Sequence, residues 1–487
     1  MIRPLVTLLA ATSLAACSLA PHYVRPELPV PPSWPVGDAY LRQSEATLPT
    51  VSYTDIFRDA RLQGLITQAL ANNRDLRVAA ANIAAARAQY HIQRAELLPE
   101  VDASAGYRFA HSTSGSTSSG ATATPNRNTN SFTADIGITS FEIDLFGRIR
   151  SLTTAAQERY FGTEAAARAT RLTLVGDVAT AWLTYASDRS LLKIARDTAA
   201  SAQRSVTLTK ARLDGGIAPR TDLDQASNVL QTALSDVAQQ TTAVAQDVNA
   251  LQLLVGAPVD PALLPGSIDE AAPTVAELPA GLDSGVLLRR PDVVQAEYEL
   301  RATNAEIGAA RAQLFPKVTL TTLLGFASSA LTNLFSGGAF NYSVAPSASY
   351  PIFRAGAGKA TVAQSEAQRD AALASYEKAI QTAFREVADA LARRGTIADQ
   401  ERAQRALTAA ASDNFKLSDA RYRGGIDTFL NSLDAQRSLY AAQRSLVATE
   451  LTEATNLVTL YRTLGGDSRL EPAPEGSGPA NEATPPR

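Results

Sequence analysis

One stretch of this chain is written twice, and that duplication constrains the fold more than any other feature. Asp75 to Pro99 (DLRVAAANIAAARAQYHIQRAELLP) aligns without a gap on Asp292 to Pro316 (DVVQAEYELRATNAEIGAARAQLFP), with Arg94 on Arg311, Leu98 on Phe315 and Pro99 on Pro316. Each proline closes a helical run, because it lacks an N–H and disfavours helix in the residue before it. A second pair, Ala211 to Ala226 (ARLDGGIAPRTDLDQA) and Ala420 to Ala435 (ARYRGGIDTFLNSLDA), shares Ala-Arg, a Gly-Gly-Ile centre and a closing alanine. Gly215, Gly216, Gly424 and Gly425 stand between long Ala-, Gln- and Leu-rich segments of helical spacing. Each pair therefore predicts a tight helix-to-helix reversal, in which the first helix ends in a residue that tolerates positive φ. The chain reads as two copies of one plan, 59–256 and 285–466, joined by a linker at 257–284. Neither copy needs to be self-sufficient.

The first helix of copy one is expected from about Asp59 to Leu98, and after Pro99 the hydrophobic period changes to two. Val101, Ala103, Ala105, Tyr107 and Phe109 lie opposite Asp102, Ser104, Gly106 and Arg108, and Phe132, Ala134, Ile136 and Ile138 repeat the pattern. The Ser/Thr/Gly/Asn-rich residues His111 to Ser131 between them read as an exposed loop. Copy two has the same plan, with Val318, Leu320, Thr322, Leu324 and Phe326 on one run and Tyr342, Val344, Pro346, Ala348 and Tyr350 on the other. The four strands, expected at about 100–110, 131–141, 317–327 and 341–351, have the length of tilted strands that cross a bilayer. Two soluble hairpins packed on one side would show the same alternation. A lipid-facing sheet must close on itself, which takes at least about eight strands, so one chain cannot complete the barrel alone.

Two further segments, about Gly147–Leu213 and Gly356–Arg423, keep helical spacing throughout. At 1.5 Å per residue, about 60 residues reach roughly 90 Å, far beyond a globular core. Sparse Leu and Val among Ala, Ser, Thr and Gln leave a narrow apolar stripe, which suits a coiled-coil seam. The fold class that follows is mixed: long antiparallel coiled-coil helices forming a helical barrel, joined to a transmembrane β-barrel, internally duplicated.

The N-terminus gives an address. Met1-Ile2-Arg3 is a short positive start, Leu5 to Ala16 a small apolar stretch, and Leu14-Ala15-Ala16-Cys17 its end. This describes a signal peptide at 1–16, too short to span a membrane. The Leu-Ala-Ala-Cys ending resembles the lipobox of bacterial lipoproteins, which implies that Cys17, the only cysteine, is lipidated as the mature N-terminus. Cleavage at an Ala-x-Ala-like site is the alternative. Ser18 resembles the residue found in lipoproteins sent to the outer membrane. Residues 17–58 then form a lipid-anchored extension, with Pro21 to Pro35 as a semi-rigid tether, and 467–487 a disordered tail.

Several functions are excluded. At 19% charged residues and a net charge of −3 the chain has no polyanion-binding signal, and nucleic acid is not an expected partner. His22, His91 and His111 lack metal-ligand spacing, and a single cysteine makes no thiolate cluster. No catalytic, cofactor or metal constellation is visible, and the Gly356-Ala357-Gly358-Lys359 run lacks phosphate-loop spacing. The chain is not expected to be an enzyme. The single methionine gives no support for a thioether copper relay.

The motifs RRPDV (Arg289 to Val293), GAARAQLFP (Gly308 to Pro316), FEIDLFGR (Phe141 to Arg148), YPIFRAG (Tyr350 to Gly356) and RYRGGIDTFLNSLDAQR (Arg421 to Arg437) occur in order. With the duplicated plan, they resemble the TolC-like outer-membrane efflux channels, and the lipobox and RRPD place the likeness nearest the OprM/NodT lipoprotein branch. The resemblance implies a homotrimer in which three chains each give four strands to one twelve-stranded barrel. It also implies a tapering periplasmic α-barrel that docks a periplasmic adaptor and an inner-membrane RND-type pump, as the passive conduit of a tripartite efflux system anchored in outer-membrane lipid. A type I secretion conduit and a lipid-anchored coiled-coil scaffold without a pore are the alternatives. By the same resemblance, the Gly-Gly turns lie at the periplasmic tip, Leu430 matches a hydrophobic constriction and Asp434 an acidic ring facing the lumen. Asn431 stands where some relatives carry a second aspartate ring. Tyr422, Arg421 and Arg423 match residues that make polar links, with Asp222 their partner on the other hairpin. Solvated helix ends, and for Leu430 a seam position, are the structural alternatives.

Overall fold

The computed structural model describes residues 18–40, 52–112, 127–276 and 284–466; the expected signal peptide, Cys17, residues 113–126 and the tail at 467–487 lie outside the described residues. Nine helices and four strands follow in order, among the described residues: α1 (Tyr53–Ile56), α2 (Ala60–Asn72), α3 (Arg74–Ala95), β1 (Asp102–Ser112), β2 (Arg127–Glu142), α4 (Arg148–Asp214), α5 (Arg220–Val255), α6 (Ile268–Ala271), α7 (Pro291–Ala312), β3 (Lys317–Ser328), β4 (Phe340–Ser349), α8 (Ala357–Arg423) and α9 (Phe429–Thr463). The duplication is visible in the lengths. Helices α3 and α7 have 22 residues each, α4 and α8 have 67 each, and α5 and α9 have 36 and 35.

The chain forms two compact units. The first holds the described residues within Met1–Pro26, Ala84–Gly162 and Glu297–Ser375. Its strands form one antiparallel sheet in the order β1-β2-β3-β4, so β1 and β4 are both edges. The period-two runs read from the sequence are these strands, and aromatic neighbours such as Tyr107 and Phe132, directly paired with ring centres 4.8 Å apart, lock the register. One expectation fails here. Residues 127–130, expected in the loop, belong to β2, and His111 and Ser112, expected there too, belong to β1, with Thr129 opposite Ala110 and Asn128 opposite His111. Their polar side chains hid them, yet a ladder is held by backbone groups, and Thr129 Oγ1 adds a bond to the Ala110 carbonyl at 3.3 Å. The helices of this unit follow the strand order. Arg87 of α3 donates to Tyr160 of α4 (3.1 Å), Arg159 of α4 pairs with Glu306 of α7 (2.7 Å), and Arg311 of α7 pairs with Glu366 of α8 (3.0 Å). So α3 and α8 are the margins of this layer, and α3 buries none of its residues.

The second unit holds the described residues within Glu27–Ile83, Thr163–Ala296 and Tyr376–Arg487, and contains the main core. Leu62, Leu65, Ile66, Val178, Trp182, Leu183, Leu251, Ile268 and Tyr461, drawn from α2, α4, α5, α6 and α9, pack together with Phe57, which follows α1. Trp182 is fully buried and its indole N–H donates to the Leu263 carbonyl at 3.0 Å, which satisfies the one polar atom it takes inside.

The helix expected from Asp59 to Leu98 is broken at Asn73. There Asn73 Oδ1 accepts from the N–H groups of Asp75 (2.8 Å) and Leu76 (3.1 Å), capping α3, while its amide donates to the Leu254 carbonyl at 2.8 Å. In copy two, Arg290 occupies the equivalent place. Its guanidinium donates to the Thr463 carbonyl (3.0 Å) and pairs with Asp292 (2.7 Å) and Glu386 (2.9 Å). In the duplicated frame Thr463 stands where Leu254 does, so both copies tie the start of one helix to the end of their last. Arg290 is 8% exposed and its bond to the Thr463 carbonyl is buried, whereas Asp292 and Glu386 are partly exposed and can be hydrated without it. Arg290→Ala should therefore lower stability by about 1–3 kcal/mol, the scale of a buried carbonyl left unpaired, and Asn73→Ala by about 1–2 kcal/mol, both read as a lower thermal midpoint of the purified protein in detergent.

Candidate functional site

The paired Gly-Gly turns end the two longest helices. At the end of α4, the Gly216 N–H donates to Leu213 (2.9 Å) and the Ile217 N–H to Arg212 (2.8 Å); at the end of α8, Gly425 donates to Tyr422 (3.1 Å) and Ile426 to Arg421 (2.9 Å). Gly216 has φ 72° and Gly425 φ 71°, the left-handed conformation that closes a helix in this bonding pattern. The two turns are the same object, so differences in side chains around them carry the information.

A small apolar cluster lies beside the turns. Tyr422, Phe429, Leu433 and Ala226 pack together, with the Tyr422 and Phe429 rings 5.3 Å apart. The Tyr422 hydroxyl shares a hydrogen bond with Thr209 at 3.1 Å, and Thr209 is fully buried. Arg212 lies over the Tyr422 ring, 4.4 Å from its centre, and donates to the carbonyls of Tyr422 (2.9 Å) and Arg423 (3.2 Å). A cation is favoured there twice, by the ring face and by the carbonyls that end α8. Arg212 thus clasps α4 to α8 within one chain.

Of the residues expected from sequence, Tyr422 is buried in this clasp, and Arg421 and Arg423 turn outward to Asp427 (3.3 Å) and Asp419 (2.9 Å). Among the described residues no hydrogen bond or ion pair joins Asp222 to Tyr422 or Arg421 within the chain. The phenol is taken by Thr209 and the Arg421 guanidinium by Asp427, while Asp222 remains half-buried in the first turn of α5. The Thr428 N–H, the Asn431 amide and the Arg421 guanidinium hold the Asp427 carboxyl below the usual carboxylate range. Leu430, Asn431 and Asp434 share one exposed flank of α9, with Leu430 59% exposed, while Phe429, Ser432, Leu433 and Gln436 face inward. That flank offers one apolar side chain, one amide and one carboxylate.

Sequence reasoning missed Arg212, Thr209 and Asp427. A signal for Arg212 existed, since the duplication sets it on Arg421. For Asp427 there was none, because Ala218 is its counterpart. Among the described residues no group of three or more metal-ligating side chains is found, and no helix is long and apolar enough to cross a membrane.

Comparison with known proteins agrees with this architecture. A family model described as outer membrane efflux protein matches residues 65–257 and 283–466. Over 472 residues, 96% of each chain, the sequence is 43% identical to a probable efflux pump outer membrane protein, TtgC, of Pseudomonas putida. It is 42% identical, with the same coverage, to a toluene efflux pump outer membrane protein from another strain of that species. Its fold is similar to the crystal structure of the open state of the Neisseria gonorrhoeae MtrE outer membrane channel, with a TM-score of 0.81, 33% identity, and coverage of 93% of this chain and 98% of that one.

The clasp makes a testable distinction. Arg212→Ala removes two bonds to carbonyls and the cover of the ring, and should raise the rate of tryptic cleavage at Arg421 and Arg423 by roughly tenfold, the scale of one charge-assisted bond. Tyr422→Phe loses only the Thr209 bond and should leave that rate nearly unchanged; equal rates for the two variants would contradict the clasp.

Proposed function

The chain belongs to the outer membrane efflux protein family and is an outer-membrane efflux channel; on that premise we propose that three copies make one conduit. The observation that carries this reading is the pair of open edges in the first unit. Strand β4 is exposed at all ten of its residues and β1 is the opposite edge, with α3 and α8 as the matching helical margins. An edge in lipid leaves backbone N–H and C=O groups without partners, each costing several kcal/mol. Pairing β4 of one copy with β1 of the next removes every edge, and three copies give twelve strands.

The helices continue this wall into the periplasm, and Cys17, lipidated, holds each copy in the inner leaflet. The Gly-Gly turns form the tip that meets a periplasmic adaptor and an RND-type inner-membrane pump. The protein binds no cofactor and catalyses no bond change; energy comes from the pump. Relatives are named for toluene, solvent and antibiotic efflux, so small amphiphilic molecules of that range are the proposed cargo.

The tip acts as the gate. Leu430 makes the apolar constriction and Asp434 an acidic ring at the symmetry axis, with Asn431 lowering the charge of the next layer. Since Tyr422 and Arg421 are already engaged within the chain, the latch with Asp222 runs between copies in the closed tip: Arg421 leaves Asp427 for Asp222 of a neighbour, supported by Arg423. Opening by the adaptor then breaks contacts between copies while the Arg212 clasp holds each chain's helices together.

The test is single-channel conductance of the purified mature protein in planar bilayers. Small cation-preferring currents are expected. Asp434→Ala should reduce the cation preference by roughly twofold or more, the scale of a few tenths of a kcal/mol per screened charge. Folded protein without conductance would overturn the conduit, and unchanged selectivity would remove Asp434 from the filter.

A further inference from the structure

The two Gly-Gly hairpins can be set against each other residue by residue, with Gly215 on Gly424 and Arg212 on Arg421. In that frame Asp188 of α4 falls on Ile397 of α8, and Asp247 of α5 falls on Asn456 of α9. Copy two fills these positions with a fully buried isoleucine and an amide that donates to the Ala390 carbonyl at 3.0 Å. Copy one fills them with two carboxyls. Asp188 lies 27 residues before Gly215 and Asp247 31 residues after Gly216, so both stand at one level, roughly 40 Å from the turn at about 1.5 Å per residue. Leu183, Ala186 and Leu251 of the main core lie on the side away from the turn, and Leu191, Ile194 and Val244 are its partly buried fringe on the side toward it. The pair stands at the margin where the copy-one hairpin leaves the core.

The two carboxyls hydrogen-bond to each other across the α4–α5 seam, and among the described residues no cation is paired with either. Asp247 Oδ2 is buried, and no donor from the rest of the described chain reaches it. None of the residues three or four positions from Asp188 or Asp247 carries a charge, and Arg189 is turned about 100° away on α4. The charged groups of the other elements packed on α4 and α5 are engaged elsewhere. Arg61 of α2 pairs with Glu270 of α6 (2.7 Å), and Asp269 of α6 faces Glu450 of α9. Nearer the turn, Asp236 of α5 accepts from Tyr440 of α9 (2.7 Å), with Arg444 over that ring. Burial first, and the charge of Asp188 second, push Asp247 up to about 7, and burial raises Asp188 as well.

We propose that Asp188 and Asp247 form a proton-held joint: one proton between them closes α4 on α5 at the core margin, and its loss lets the helices part there, loosening the hairpin between core and turn. The closed pair binds its proton more tightly than separated aspartates, whose ordinary value is 3.8. By linkage, closure is fully favoured at acid pH and weakens as pH rises. The opening equilibrium rises about tenfold per pH unit up to about pH 7 and levels off once both carboxyls are charged in the closed state. At the copy-two positions, Ile397 and Asn456, nothing titrates. Glu450, also pushed up to about 7 by burial and by Asp269, has Arg405 at 3.0 Å to receive its charge, so its ionisation makes a pair and not a repulsion. A rise in pH therefore loosens the copy-one hairpin. The joint lies within one chain and stands independently of the trimer and the gate.

The joint is tested by tryptic cleavage at Lys193, an exposed residue of α4 on the turn side of Asp188, in the purified mature protein in detergent. A closed helix resists cleavage, so the rate reports opening. Asp188→Asn and Asp247→Asn each keep the size of the side chain and replace the shared proton by an amide that donates at every pH. Comparing wild type with these variants at the same pH cancels the pH dependence of the protease. The ratio of wild-type to variant rate should rise by roughly tenfold between about pH 6 and about pH 8. The infrared carbonyl band of protonated carboxyls, lost over that range in wild type, should lose one carboxyl less in either variant, which separates the pair from Glu450. A flat ratio in whichever variant folds overturns the joint, as does an infrared loss that neither substitution reduces. Should both single variants fail to fold, Asp188→Ile combined with Asp247→Asn installs the pair that copy two already carries and is read in the same way.

Discussion

Everything in this chain is subordinate to two rows of backbone groups that have no partner. Sheet edges are tolerable in water, where they are blunted by charge or covered, and intolerable in hydrocarbon. Among the described residues the sheet has four strands, with β1 and β4 open and their outward residues apolar and aromatic: Tyr107 and Phe109 on one edge, Tyr342 and Val344 on the other. A sheet so built would have no stable state in lipid by itself. The margins α3 and α8 repeat the same incompleteness in helical form, since α3 buries nothing. In the trimer proposed above, association of copies is part of folding.

Internal duplication makes that association economical in information. In the proposed trimer, contacts like those inside one chain, between the helices of copy one and those of copy two, would recur between chains, where copy two of one meets copy one of the next. The copies have diverged where this matters. Asn73 caps α3 and reaches Leu254 with a short amide, whereas Arg290 does the equivalent task with a buried guanidinium that also holds Asp292 and Glu386. At the turns, Arg212 is spent inside the chain on Tyr422 and Arg423, while its counterpart Arg421 is exposed on Asp427. In the proposed gate, a clasp that stays and a link that can exchange would let the tip open without coming apart.

Much of this was legible in the sequence, for physical reasons that differ by element. The strands were readable because alternation is enforced by the pleat, and the long helices because nothing in Arg148–Asp214 or Ala357–Arg423 interrupts their period. The Gly-Gly turns were readable because Gly216 and Gly425 adopt a conformation other residues avoid. The break at Asn73 was hidden, since an asparagine in an Ala-rich run declares itself a cap only through the carbonyl it reaches 181 positions away. The first residues of β2 were hidden because their side chains are polar although their backbone pairs. Around the Gly-Gly turns the pairings were hidden: the resemblance implies Asp222 as a partner for Tyr422, and the Tyr422 hydroxyl bonds Thr209 instead. Which of several nearby polar groups wins a buried hydroxyl depends on helix packing, and no spacing rule encodes it.

The central claim is that closure of the sheet edges requires other copies of this chain. The most direct measurement is the native mass of the mature protein extracted from the outer membrane in mild detergent, with circular dichroism of the same sample to establish that the strands are formed. The account predicts a mass of three lipidated chains that persists until the β signal is lost on heating. A folded sample, strands intact, with the mass of one or two chains would contradict it.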